Sequence, residues 1–118
     1  MDELDKYPFI IRNEDIDVRV SKYGDFLDSN GYVAFELEDE EQKSIVKLFR
    51  AYKKKPPRAP EDIDGFLESV DIVNMLINEK VMAVFSLIAL RWSSQYTIVN
   101  TRICDTAVIA IEDREKFS

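Results

Sequence analysis

The chain has no histidine, one cysteine and three glycines in 118 residues. Each shortage excludes chemistry. Histidine is the commonest acid–base group near neutral pH and the commonest metal ligand. Without it there is no Ser-His or Cys-His nucleophile pair, no zinc site of the usual kind and no histidine phosphotransfer. A lone cysteine, Cys104, rules out an intramolecular disulfide. No glycine-rich stretch is available to cradle a phosphate. Long apolar runs are missing too. The longest, Val81–Leu90, has ten residues, against about 20 needed to span a bilayer. The start, Met1-Asp-Glu-Leu-Asp-Lys6, is acidic and no apolar leader core follows it. A cytoplasmic, non-membrane protein without a cofactor is expected.

What remains has the composition of a globular protein: 46% hydrophobic and 33% charged residues. The length fits one domain with a core of its own. Net charge is −7, unevenly spread. Residues 1–40 carry −8, residues 41–60 carry +6 and residues 61–118 carry −5. An acidic chain thus holds one basic block.

Residues 1–14 read as an irregular lead-in. Pro8 opposes a helix there, and Phe9-Ile-Ile11 offers an apolar tether to the core. Ile16, Val18 and Val20 alternate with Asp17 and Arg19, which predicts a short half-buried strand; a helix from Asp15 is the rival reading. Ser21 is positioned to cap a helix carrying Tyr23, Phe26 and Leu27. Asn30-Gly31 ends it. Tyr32–Glu38 alternates like a strand whose outer face presents Glu36 and Glu38.

Residues 39–55 carry the clearest helical signature. Asp39, Glu40 and Glu41 occupy the first turn, Ile45, Leu48, Phe49 and Tyr52 recur at helical spacing, and Lys53–Lys55 close the last turn. Residues 55–60 form a proline-rich connection. A further helix start is expected near Pro60, with Ile63, Phe66, Leu67 and Val70 on one face, and a second from Ser69. Val81–Leu90 is apolar on all sides, so periodicity alone does not decide between helix and strand; its reading here is a buried helix reaching Trp92. Trp92 and Tyr96 are read as the rim of the core. Tyr96–Ile103 and Thr106–Ile111 read as strands joined tightly at Cys104-Asp105, and residues 112–118 as a charged, frayed tail. The class implied is α+β: a small, mostly antiparallel sheet with three to four helices packed on one face.

Three constellations bear on function. The acidic run Glu36, Glu38, Asp39, Glu40 and Glu41 suits a basic partner, and the competing reading is helix N-terminal charge. The basic cluster Lys43, Lys47, Arg50, Lys53, Lys54, Lys55 and Arg58 suits phosphate or nucleic acid, with Tyr52 able to stack on a base. Its competing reading is a solvated helix end, and the overall negative charge opposes nucleic acid. The repeated Glu-Asp-Ile-Asp at 14–17 and 61–64 offers carboxylate pairs to a hard cation; Asp15 and Asp17 share a face if extended, whereas Asp62 and Asp64 diverge on a helix, so no metal site is expected and a carboxylate–metal hydrolase at Asp15 and Asp17 is the weaker third reading. Cys104 has no base beside it and reads as a small buried hydrophobe. The expectation is a non-enzymatic acidic binding protein that neutralises a basic macromolecule, in the manner of a toxin-immunity protein or an inhibitor of a nucleic-acid-binding effector. The immunity comparison rests on size and charge alone. The alternative is a small nucleic-acid-associated regulatory module using Lys43–Arg58.

Overall fold

In the computed structural model, residues 6–54, 66, 75–91 and 95–117 are described. The chain runs through a 3-10 turn (Asn13–Asp15), α1 (Val20–Asn30), β1 (Tyr32–Leu37), α2 (Asp39–Lys54), α3 (Glu79–Leu90), β2 (Tyr96–Ile103) and β3 (Thr106–Asp113). The strands form one antiparallel sheet in the order β1-β3-β2. The α+β class with a small antiparallel sheet is what the pattern predicts. Expectations for Pro56–Pro57, Asp62, Asp64, Ser69 and Trp92 fall outside the described residues.

The central strand β3 is buried along nearly its whole length. On one sheet face, Val33, Phe35, Ile109 and Ile111 meet Leu27 of α1, Ile45 and Leu48 of α2, and Val84, Phe85 and Ile88 of α3. α3 is buried on most of its circumference, so the apolar run is a helix because it sits between other elements rather than on a surface. On the opposite sheet face Tyr7 and Phe117 stack on each other and both lie tilted against Tyr32, Phe26 of α1 meets Tyr32 edge-on, and Ala34, Val108 and Ala110 belong to the same cluster.

Several expectations need correction. The alternating segment Ile16–Val20 is not a strand. A 3-10 turn precedes it and α1 begins at Val20. Tyr23 fixes this passage: its hydroxyl accepts from the Asp17 N–H at 2.6 Å and donates to the Asp15 carbonyl at 3.3 Å. The true edge pairing lies upstream, where the Ile11 N–H donates to Ala34 O (2.9 Å) and the Glu36 N–H donates to Ile11 O (2.8 Å). Ser21 does not cap α1. Arg19 holds the cap position, with no side-chain cap bond. Gly31 does end the helix, in the left-handed conformation at φ 81°. The outer face of β1 is not an open acidic ladder: Glu36 is half-buried, and Glu38 is exposed but lies beyond the strand. The tail is not frayed from residue 112, since Glu112 and Asp113 are buried in β3 and Phe117 packs on the aromatic face. Cys104 is exposed, not buried. It and Asp105 both have positive φ (52° and 65°), the geometry of a two-residue hairpin turn.

Candidate functional site

Helices α2 and α3 lie parallel with their starts together. At one end, Asn78 at the α3 cap meets Glu41 of α2; at the other, the Tyr52 hydroxyl donates to Ala89 O at 3.4 Å. Two helix N-termini at one place concentrate positive dipole charge, which favours carboxylates there.

Glu41 is the centre of this end. Its side chain is only 2% exposed. Oε2 lies 2.8 Å from Lys80 Nζ and accepts from Asn78 Nδ2 at 2.9 Å, while Oε1 accepts from the Glu38 N–H at 3.0 Å. That last bond is half of a capping box, with Glu41 as the third helical residue reaching back to the cap. Lys80 Nζ also donates to Asn13 Oδ1 at 2.8 Å, bringing the 3-10 turn into the same network. Burial raises the Glu41 carboxyl pKa, but the hydrogen bonds from Lys80, Asn78 and Glu38 outweigh it, so the net shift is downward.

Around this network the exposed carboxylates Glu14, Asp15, Glu38, Asp39, Glu40 and Glu79 sit on three chain segments. The acidic run named from the sequence is therefore only partly the surface it suggests. Glu41 is withdrawn into the fold. Asp39 pairs with Arg102 at 2.8 Å, a bond that holds its carboxyl below the usual range. Glu40 pairs with Lys43 at 3.4 Å. Glu36 stands apart, beside Arg12 and Cys104 in a cavity of about 230 Å³ on the aromatic sheet face. In exchange, the fold brings in Glu14, Asp15 and Glu79, which sequence reasoning did not group with the run. One signal was available: Glu41 shares the apolar face of Ile45, Leu48 and Tyr52 at helical spacing, which marks it as inward.

Four members of the basic cluster share one face of α2. Lys43, Lys47, Arg50 and Lys54 are all exposed and fall within about 60° around the α2 axis, in a stripe about 16 Å long. Apart from Lys43, no carboxylate among the described residues pairs with any of them, nor with Lys53. Lys55 and Arg58 lie outside the described residues. Asp15 is exposed on the 3-10 turn, and Asp17 Oδ1 accepts from the Arg19 N–H at 3.3 Å. Among the described residues no group of three histidine, cysteine, aspartate or glutamate side chains is placed to hold a metal ion, and no helix is long and apolar enough to cross a membrane.

Comparison with protein-family models, with curated proteins and with solved structures finds no match to this chain.

Proposed function

We propose that this protein is a non-enzymatic binding protein whose acidic end docks on a basic macromolecular partner and neutralises it. The supporting observation is the convergence of Glu14, Asp15, Glu38, Asp39, Glu40 and Glu79 around the paired starts of α2 and α3. The Lys80–Glu41 pair beneath them holds three chain segments in fixed relation, so the carboxylates are presented on a rigid base. The Asp39–Arg102 and Glu40–Lys43 pairs do not remove their acids from a partner's reach. They are exposed, screened by water and free to exchange partners. Opposite charge of this kind steers encounter and sets specificity more than it sets raw affinity.

The test is partner capture from cell extract with two charge-matched variants. Glu14→Lys with Glu79→Lys changes the acidic end. Asp25→Lys with Glu115→Lys makes the same change elsewhere. Capture of a basic protein that only the first pair abolishes, with association slowed by salt, is the expected result. Equal loss from both pairs, or a partner of neutral or acidic character, overturns this reading.

A second reading has its own observation, the cationic stripe on α2, of which only Lys43 pairs with a carboxylate among the described residues. In that reading the stripe contacts the backbone of a nucleic acid, and Lys47, Arg50, Lys53 and Lys54 each contribute to a salt-dependent affinity. Fluorescence anisotropy with single- and double-stranded oligonucleotides decides it. Binding that survives Lys47→Ala with Arg50→Ala removes it.

A further inference from the structure

The backbone bonding of the sheet assigns a direction to every strand residue. Ala34 O and the Glu36 N–H face outward from β1 to Ile11, so Val33, Phe35 and Leu37 bond inward to β3. Ile111, Ile109 and Ala107 answer them, which leaves Thr106, Val108, Ala110 and Glu112 to bond to Ile103, Thr101, Val99 and Thr97 of β2. The two-residue turn at Cys104-Asp105 requires the same phase. The N–H and C=O groups of Tyr96, Ile98, Asn100 and Arg102 therefore point away from the sheet. Among the described residues, no backbone group meets them.

Sheet edges are normally protected by proline, lysine, a bulge or brevity. β2 has eight residues, no proline, no lysine and an unbroken register with β3; its one charge is Arg102. The other edge of the sheet is already covered at its middle by Ile11. The open edge also carries an apolar opportunity. A groove of about 220 Å³ lies beside it, walled by Val46 and Phe49 of α2 and by Ile98 and Asn100 of β2, with Arg50 and Lys53 of α2 also in its lining.

We propose that β2 pairs with β2 of a second copy of this chain, antiparallel about a two-fold axis through Val99, to give one continuous six-stranded sheet. The strand is self-complementary in that register. Outward-bonding residues pair with outward-bonding residues: Tyr96 with Arg102 of the second copy, and Ile98 with Asn100. The intervening pairs are Thr97 with Thr101 and Val99 with its own mate. Threonine and β-branched pairs are favourable cross-strand neighbours, and Arg102, whose guanidinium is held by Asp39 and the Asp105 carbonyl, faces an aromatic residue rather than a like charge. The two Arg102 side chains stand about 20 Å apart. On the helix-bearing face, the second copy's Ile98 falls beside Asn100, at the mouth of the groove. This assembly does not depend on the acidic-end reading above, because its contact is backbone pairing along β2; it shares only Arg102, the partner of Asp39, with that end, and it borders Arg50 and Lys53 of the second reading.

Sedimentation equilibrium between about 1 and 500 µM tests it, because a contact this narrow dissociates at low concentration. The expected result is a concentration-dependent rise from 13.7 kDa towards twice that mass. Asn100→Pro removes an outward N–H and the side-chain oxygen that accepts from Gln42 Nε2, leaves the β2–β3 bonds in place, and is expected to hold the protein monomeric; Asn100→Lys, which leaves the backbone intact, is expected to do the same if the proline variant fails to fold. Register is read by cross-linking in a Cys104→Ser background under oxidised glutathione. Val99→Cys places two thiols on a non-bonded antiparallel pair about 4.5 Å apart at Cα and is expected to yield a covalent dimer. Thr97→Cys leaves its two copies about 13 Å apart along the strands and is expected to yield almost none. A 13.7 kDa species at every concentration, a dimer indifferent to both Asn100 variants, or cross-linking of Thr97→Cys in preference to Val99→Cys overturns the proposal.

Discussion

Glu41 and Lys80, 39 positions apart in the chain, place Oε2 and Nζ 2.8 Å from each other with only 2% of the glutamate side chain exposed. The lysine is less buried, at 23%, and reaches Asn13 as well. The two partners are thus unequal, and their removal has unequal consequences.

Lys80→Met leaves a buried carboxylate with only the Asn78 amide and the Glu38 N–H for company. Breaking a buried pair from one side costs about 3–5 kcal/mol when both members are fully enclosed. With Lys80 partly open to water, about 2–3 kcal/mol is expected, measured by urea denaturation at pH 7. The deficit has a defined pH dependence. The folded Glu41 carboxyl lies below its ordinary value of 4.5, so its contribution is complete above that pH and is lost as pH falls through the lower folded value. The gap between the parent protein and Lys80→Met should therefore narrow on acidification below pH 4.5. A gap that stays constant from pH 7 to pH 3 would show that the pair contributes nothing as an ion pair.

How far this arrangement is legible in the sequence varies by element. α2 is plain because Ile45, Leu48 and Tyr52 repeat at helical spacing between an acidic start and a basic end, so propensity, dipole and burial agree. The β2–β3 hairpin is plain because β-branched residues fill two runs on either side of a two-residue connection. Ile16–Val20 misleads because its alternation arises otherwise: Ile16 and Val20 pack on the core from a turn and a helix start, while Val18 is 47% exposed. Nothing local tells an exposed carboxylate from a paired one. That Glu41 finds Lys80, and that Glu14 and Glu79 join Glu38, follows from helix packing between segments far apart in the chain.

The two described glycines part company on substitution. Gly31 holds φ 81°, and a Cβ there would stand 2.9 Å from Lys116 Cβ and 3.2 Å from its backbone carbon. Neither atom is the free end of a side chain. Gly31→Ala is expected to cost about 1–3 kcal/mol. Gly24 is mid-helix, and its added Cβ would meet Arg91 Nη2 at 2.7 Å, the mobile end of a side chain that can swing away from Asp28. Helix propensity returns about 1 kcal/mol at that site, so Gly24→Ala is expected to be near neutral. Thermal melts of both variants check the contrast; equal losses would contradict it.

Tyr7 ties the lead-in to the far sheet face. It is 3% exposed, stacks on Phe117 and donates its hydroxyl to Glu112, which also pairs with Lys6 at 3.1 Å. Tyr7→Phe removes a bond to a charged acceptor and is expected to cost about 1.5–3 kcal/mol. Tyr7→Ala adds the loss of a buried ring, for about 3–5 kcal/mol in all. The difference between the two variants in denaturant midpoint separates packing from hydrogen bonding. If Tyr7→Ala costs no more than Tyr7→Phe, the ring contributes no burial and the lead-in does not cover that face.

The hairpin turn offers a gain rather than a loss. Cys104 and Asp105 occupy two successive positions of positive φ, where asparagine and glycine are favoured and a cysteine is strained. The Cys104 side chain is exposed, so little packing is forfeited by changing it. Arg102 Nη2 donates to the backbone carbonyl of Asp105 at 2.7 Å, a bond that survives removal of the aspartate side chain. Cys104→Asn with Asp105→Gly should therefore stabilise the hairpin by about 1 kcal/mol, less the entropy that glycine restores to the unfolded chain. A rise in the urea midpoint with unchanged slope is the expected observation. A fall would mean that the Cys104 or Asp105 side chain makes a contribution the geometry of the turn does not account for.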